Sequence, residues 1–118
     1  MRRPTRAMSD KHEKDLAELL GGRVTPGSGN GWANPMDVRQ HRYDPFAFAL
    51  DGKSTLAASM SVTREMWEKA QEQAGGERPG LPLRFYDTER LAVGLDLIVI
   101  SLDDFAELLD AARKGSTE

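Results

Sequence analysis

Cysteine is absent from all 118 residues, which excludes disulfide staples, cysteine-bound zinc clusters and thiol chemistry and fits a reducing cytoplasm. No apolar run is long enough to cross a bilayer. The basic start Met1-Arg2-Arg3-Pro4-Thr5-Arg6 has no apolar stretch behind it, so no secretory signal is expected. Nor is there an internal repeat, a Gly-Lys-Ser/Thr phosphate loop or a strand-loop-helix dinucleotide fingerprint. What is left is one intracellular domain, long enough to bury a core without staples or structural metal.

A large excess of either charge is missing too. The net charge is −3 and the pI near 5.4, which at face value argues against a nucleic-acid partner. The distribution alters that reading. Residues 1–42 hold eight Lys/Arg against five Asp/Glu, or +3, and residues 43–118 hold eight against fourteen, or −6, which together restore the −3. A local positive face is all that phosphate binding requires.

Local signals give the order of elements. Ser9 can cap a helix from Asp10 to Leu20, closed by Gly21-Gly22, with Leu16, Leu19 and Leu20 as its apolar stripe. Glu13 falls within that stripe and His12 at its border, whereas Lys11, Lys14, Asp15 and Glu18 point elsewhere as surface charges. Arg23-Val24-Thr25 reads as a short strand and Pro26 to Gly31 as a loop whose glycines expose backbone N–H groups around Ser28. Met36 and Val38 should point inward, with Asp37 and Arg39 on the other face of a strand. Ser61 or Thr63 caps a second helix ending at Gly75-Gly76, with Trp67 in the core, and residues 76–82 read as a loop. Leu83 to Tyr86 and Leu97 to Ile100 are strands, the latter a continuous apolar run expected at the centre of a sheet. Arg90 to Leu95 either extends that strand backwards or forms a hairpin arm. Ser101 caps a last helix carrying Phe105, Leu108, Leu109 and Ala112. The expected architecture is α/β: a mixed sheet of about five strands flanked by helices, in the order αβββαββα. A basic tail over 1–8, a domain over 9–113 and a frayed end over 114–118 complete it.

The most informative stretch is Phe46 to Thr55. Phe46, Phe48 and Leu50 share one face of a strand, while Asp51 and Lys53 share the other behind Ala47 and Ala49. An acid and a base ending a strand of small and apolar residues cost desolvation energy unless something pairs with both. A divalent metal and a phosphate would do so. With Asp37 as a second carboxylate, the stretch reads as a metal-dependent phosphodiester-cleaving site.

Taken in order, the inward Glu13, the Pro26-Gly27-Ser28-Gly29 loop, Asp37 opening a strand and Asp51-Gly52-Lys53 ending the next resemble the PD-(D/E)XK nuclease superfamily. Within it, the set is most similar to the archaeal-type Holliday junction resolvases and the small resolvase-like nucleases of phages. The resemblance covers residues 9–100. Two departures stand out: the family's Pro-Asp pair is here Pro35-Met36-Asp37, with one residue inserted, and the second acid is Asp51 where Glu is commoner. The resemblance implies a restriction-endonuclease-like fold and hydrolysis of DNA phosphodiesters with magnesium or manganese. It implies a homodimer cutting a four-way junction, phage-encoded and acting in the host cytoplasm. Asp37, Asp51 and Glu13 would hold the metal, Lys53 would orient water or stabilise the transition state, and Ser28 would contact the scissile phosphate. Arg23, Arg39 and Arg42 would grip the DNA backbone. Two other readings stay open: a non-catalytic DNA-binding or accessory protein on the same scaffold, and a structural dimer using Trp32, Tyr43 and the last helix.

Overall fold

A computed structural model of the chain describes residues 4–24, 36, 38–40, 44–90 and 92–116. The described elements are α1 (Arg6–Leu20), β1 (Arg23–Val24), β2 (Val38–Arg39), β3 (Phe48–Leu50), β4 (Lys53–Thr55), α2 (Arg64–Ala74), β5 (Arg78–Tyr86), β6 (Val93–Val99) and α3 (Leu102–Ser116). Together they form a small α/β domain, a mixed sheet flanked by three helices.

Helix α1 begins earlier than Ser9. The Thr5 hydroxyl accepts the Met8 N–H at 3.2 Å, so Arg6, Ala7 and Met8 are helical. Its other end is closed by Gly21, whose φ of 73° is a conformation that side chains disfavour. The buried flank of α1 also differs from expectation. His12 is enclosed and Leu16 and Ala17 pack on the core, while Leu19 is 80% exposed. Asp15, expected at the surface, accepts from Arg84 at 2.8 Å. Thr63 is the residue that caps α2, and the Ser101 hydroxyl accepts the Asp104 N–H at the start of α3.

The sheet grows outward from β5. Strands β1 and β2, and β2 and β3, pair antiparallel; β3 and β4 both pair parallel with β5; β6 pairs antiparallel with the far side of β5. Residues 76–82 are therefore not a loop, because β5 takes in Arg78 to Pro82. The strand expected over Phe46 to Thr55 is split in two, raising the described count to six. Both halves keep the same thirty-residue offset to β5, Phe48 against Arg78 and Thr55 against Phe85, so they are one strand interrupted at Asp51-Gly52.

Proline explains the interruption. The Asp51 N–H donates to the Gly80 carbonyl at 3.0 Å. In a parallel ladder the next rung would run from the N–H of residue 82 to the Asp51 carbonyl. Residue 82 is proline and has no N–H to give. Pro79 does no such harm, since its missing donor faces the side of β5 where β6 has not yet begun; that ladder starts at Leu81 against Val99.

Two cores lie on the two faces. Ala49, Leu81 and Leu83 pack with Ala70 and Ala74 of α2 and with Met36; Val38, Phe48 and Leu50 pack with Leu16 and Ala17 of α1 and Leu108 of α3. Met36 and Val38 are both buried, but in opposite cores rather than on one face, because Met36 lies outside the regular strand. Gln40 ties α1 to the sheet, donating to the Leu20 carbonyl and accepting the Phe48 N–H. The largest departure concerns the apolar run of β6. Among the described residues it is an edge strand, with Leu95, Leu97 and Ile98 about half exposed, not the centre of the sheet.

Candidate functional site

Asp51 and Lys53 meet where the ladder is interrupted. Their carboxylate and ammonium groups are 3.1 Å apart, with side chains 20% and 39% exposed. Lys53 is registered with Leu83, and Ala49 and Leu83 belong to the core under α2, so the pair stands on the α2 side of the sheet. A strand that continued normally would bond the Asp51 carbonyl to residue 82. Pro82 leaves that oxygen without its ladder donor, next to a carboxylate and an ammonium. Hard oxygen donors of this kind suit a magnesium-like cation, and the ammonium suits a phosphate.

The other expected site residues are distributed unevenly. Asp37, Ser28 and Arg42 lie outside the described residues. Val38 and Leu50, the immediate chain neighbours of Asp37 and Asp51, are register partners. Glu13 is half-buried on α1, one turn before Leu16 and Ala17, and α1 covers the face opposite the Asp51–Lys53 pair. Arg23 is exposed in β1, opposite Arg39 of β2. The Arg39 guanidinium is engaged in a structural clamp: one nitrogen donates to Glu77 at 2.8 Å and another to the Gln73 carbonyl at 3.1 Å, fixing the end of α2 to β2. Among the described residues, no three acidic, histidine or cysteine side chains converge in a metal-binding group.

A second polar cluster escaped the sequence reading. Arg84, only 4% exposed in mid-β5, donates twice to Asp96 across the strand pair, at 2.8 and 2.9 Å, and once to Asp15 of α1 at 2.8 Å. Its guanidinium lies over the Tyr86 ring, whose hydroxyl donates to the Met8 carbonyl. Buried beside it, the His12 imidazole is pulled down to about 4, first by desolvation and then by the Arg84 charge. Hydrogen bonds from Arg84 hold the Asp15 and Asp96 carboxyls below their usual range. His12, Asp15, Arg84 and Asp96 line a cavity of about 550 Å³ between α1 and the β5–β6 pair, together with Leu16, Leu19, Leu97 and Ile98. The signal was present in the sequence: an Arg and an Asp each embedded in an apolar strand, the same pattern that drew attention to Asp51 and Lys53.

No protein-family model matches the chain, and comparison with curated proteins finds no significant match.

Proposed function

We propose that the chain is a divalent-metal-dependent endodeoxyribonuclease with a restriction-endonuclease-like fold, acting as a homodimer on branched DNA and most specifically on four-way junctions. One observation carries the reading: Asp51 and Lys53 paired at 3.1 Å on one face of a strand whose ladder stops there. The path of the chain supports it, with a helix, strands β1 to β3 joined antiparallel, a second helix, and β5 parallel to β3. So does the Val38–Leu50 register beside the two acids.

In this reading Asp51 and Asp37 would hold magnesium or manganese, which would lower the pKa of a bound water and offset charge on the phosphate, and Glu13, on the helix that covers the opposite face, is left out of the set. Lys53, no longer fully committed to Asp51 once that carboxylate has a second cation, aligns the attacking water or meets the charge that builds on the phosphoryl oxygens. Hydrolysis forms one P–O bond to the water oxygen and breaks one to the sugar oxygen. Ser28 contacts the scissile phosphate, and Arg23 and Arg42 grip the flanking backbone without reading bases. Arg39 joins them only by giving up Glu77.

The test is cleavage of a labelled four-way junction and of a linear duplex of matching sequence, with magnesium, manganese or chelator. Paired metal-dependent nicks near the branch point are the expected result, and Asp51→Asn should lower the rate by at least about 100-fold, the scale of losing a charged transition-state interaction. Full activity in Asp51→Asn would refute the assignment. Equal cutting of both substrates would keep the nuclease and remove the junction preference. The second reading is a DNA-binding protein without turnover, motivated by the acidic net charge and by Asp51 standing where Glu is commoner. It is the outcome if the junction is bound but never cut.

A further inference from the structure

We propose that two copies of this chain join through their β6 edges, pairing antiparallel about a twofold axis at Leu97 and continuing the sheet from one copy into the next. This deepens the proposed function, which takes the chain as a homodimer, by naming the interface; its residues lie outside the Asp51–Lys53 site, so the two readings fail separately.

The starting point is an edge that a lone domain would not leave bare. Past the bulge opposite Phe85 and Tyr86, β6 from Leu95 to Val99 has neither lysine nor proline, and its one charge, Asp96, is paired with Arg84 of the neighbouring strand. Leu95, Leu97 and Ile98 are 50%, 49% and 48% exposed, and Val93 is 44% exposed. Leu19 and Leu20 of α1, 80% and 37% exposed, line a cavity with β6 and flank this edge on the α1 face together with Ile98, while Leu95 and Leu97, in register with Phe85 and Leu83, flank it on the α2 face. At roughly 200 Å² for a fully exposed large apolar residue, the six offer about 600 Å² per copy and about 1,200 Å² for two, which reaches the range of specific interfaces.

The register follows from bonding and charge. The Asp51 N–H bond to the Gly80 carbonyl shows that even-numbered residues of β5 turn their backbone groups toward β3 and β4, so odd-numbered ones face β6. Leu83 and its partner Leu97 therefore bond each other, and the backbone groups left open on the outer edge are those of Asp96 and Ile98. A twofold at Leu97 pairs Asp96 of one copy with Ile98 of the other, so both residues exchange their free donors and acceptors. Centring on Asp96 instead would set two carboxylates face to face. The Asp96 carboxylate is held on its own side by Arg84, which it shares with Asp15. An axis perpendicular to the sheet also brings the Leu19 and Leu20 ends of the two α1 helices together over the joint, closing the cavity. The edge offers apolar side chains and open backbone donors and acceptors in alternation, which a second copy matches group for group.

The arrangement fixes where the two Asp51–Lys53 sites lie. Lys53, Leu83 and Leu97 occupy one row across the sheet. The twofold therefore puts both sites on one face, with the Lys53 Cα atoms five strand spacings, or about 24 Å, apart.

Because the chain has no cysteine, single cysteines report the register directly. In the full chain, Leu97→Cys faces its own copy at a non-hydrogen-bonded position, with Cα atoms about 4.5 Å apart, within disulfide reach. It should convert to a covalent dimer on mild oxidation. Leu95→Cys, offset by about 14 Å along the strands from its counterpart, should not. Sedimentation should show the unmodified chain as a dimer, and Leu97→Lys should weaken self-association at least about tenfold with an unchanged circular dichroism spectrum. A monomer at all concentrations would overturn the proposal. So would a dimer that cross-links at Phe105→Cys on α3 and not at Leu97→Cys. A Leu97 cross-link in a protein that cuts no DNA would leave this interface standing and remove the nuclease reading alone.

Discussion

The buried histidine makes a quantitative prediction about stability. His12 takes up a proton near 6.5 in the unfolded chain and only near 4 in the folded one. Between those values the unfolded state binds more protons, so stability rises with pH; the contribution is complete above pH 6.5 and is lost as pH falls to about 4. At about 1.4 kcal/mol per unit, the window is worth about 3 kcal/mol, a large share of the stability of a small domain. The cause is physical: a charged imidazolium at this position would be desolvated and would face Arg84, and the nearby Asp15 and Asp96 carboxylates, already bonded to that arginine, do not offset both costs. Urea unfolding followed from above pH 6.5 down to about 4 measures the slope. His12→Gln, which cannot titrate, should flatten it. The chain's other histidine, His41, is common to both proteins and cancels in the comparison. Asp15 and Asp96 lose their stabilising contributions only as pH falls from 3.8 downward, outside the window. An equal slope in His12→Gln would refute the reasoning.

Two further substitutions test the packing around the candidate site. Pro82→Ala supplies the N–H that the ladder between β5 and the β3/β4 strand lacks. The new bond, worth about 1 kcal/mol, is offset by the looser unfolded chain, so the melting temperature should barely move. Hydrogen exchange should show a protected amide at residue 82, and an amide exchanging freely there would show that proline is not what interrupts the strand. Gly22→Ala puts a Cβ 2.9 Å from the Arg39 carbonyl oxygen and 3.0 Å from Val38 Cγ1, where backbone cannot yield. It should cost about 1–3 kcal/mol in urea unfolding, whereas Gly76→Ala, with nothing within 4 Å, should be nearly silent.

The paired charges show two scales of legibility. Asp51 and Lys53 are two residues apart, so strand alternation alone places them on one face, and the structure has them in contact. Arg84 and Asp96 are twelve residues apart and meet only because β5 and β6 fold back on one another in that register. No local pattern carries that register. Asp15 looked like a surface acid for the same reason: on α1 alone it points away from the apolar stripe, and only the seating of the helix over β5 turns it toward Arg84.

By itself the sequence determined the features that depend on neighbours along the chain. These are the three helices with stops at Gly21 and Gly75, the alternation that separates Phe48 and Leu50 from Asp51, and the order of elements in a mixed α/β sheet. Tertiary structure decided what depends on partners far away. The apolar run of β6 reads as a central strand because hydrophobicity records that a surface is to be covered, but not by what. Whether its neighbour is another strand of the same chain or lies beyond it is a question of topology, and among the described residues β5 has a partner on each side while β6 has one. The break at Asp51-Gly52 has the same origin. Its cause, Pro82, is some thirty residues away and acts only because β5 lies against that strand, where a missing N–H ends the ladder beside the two charges.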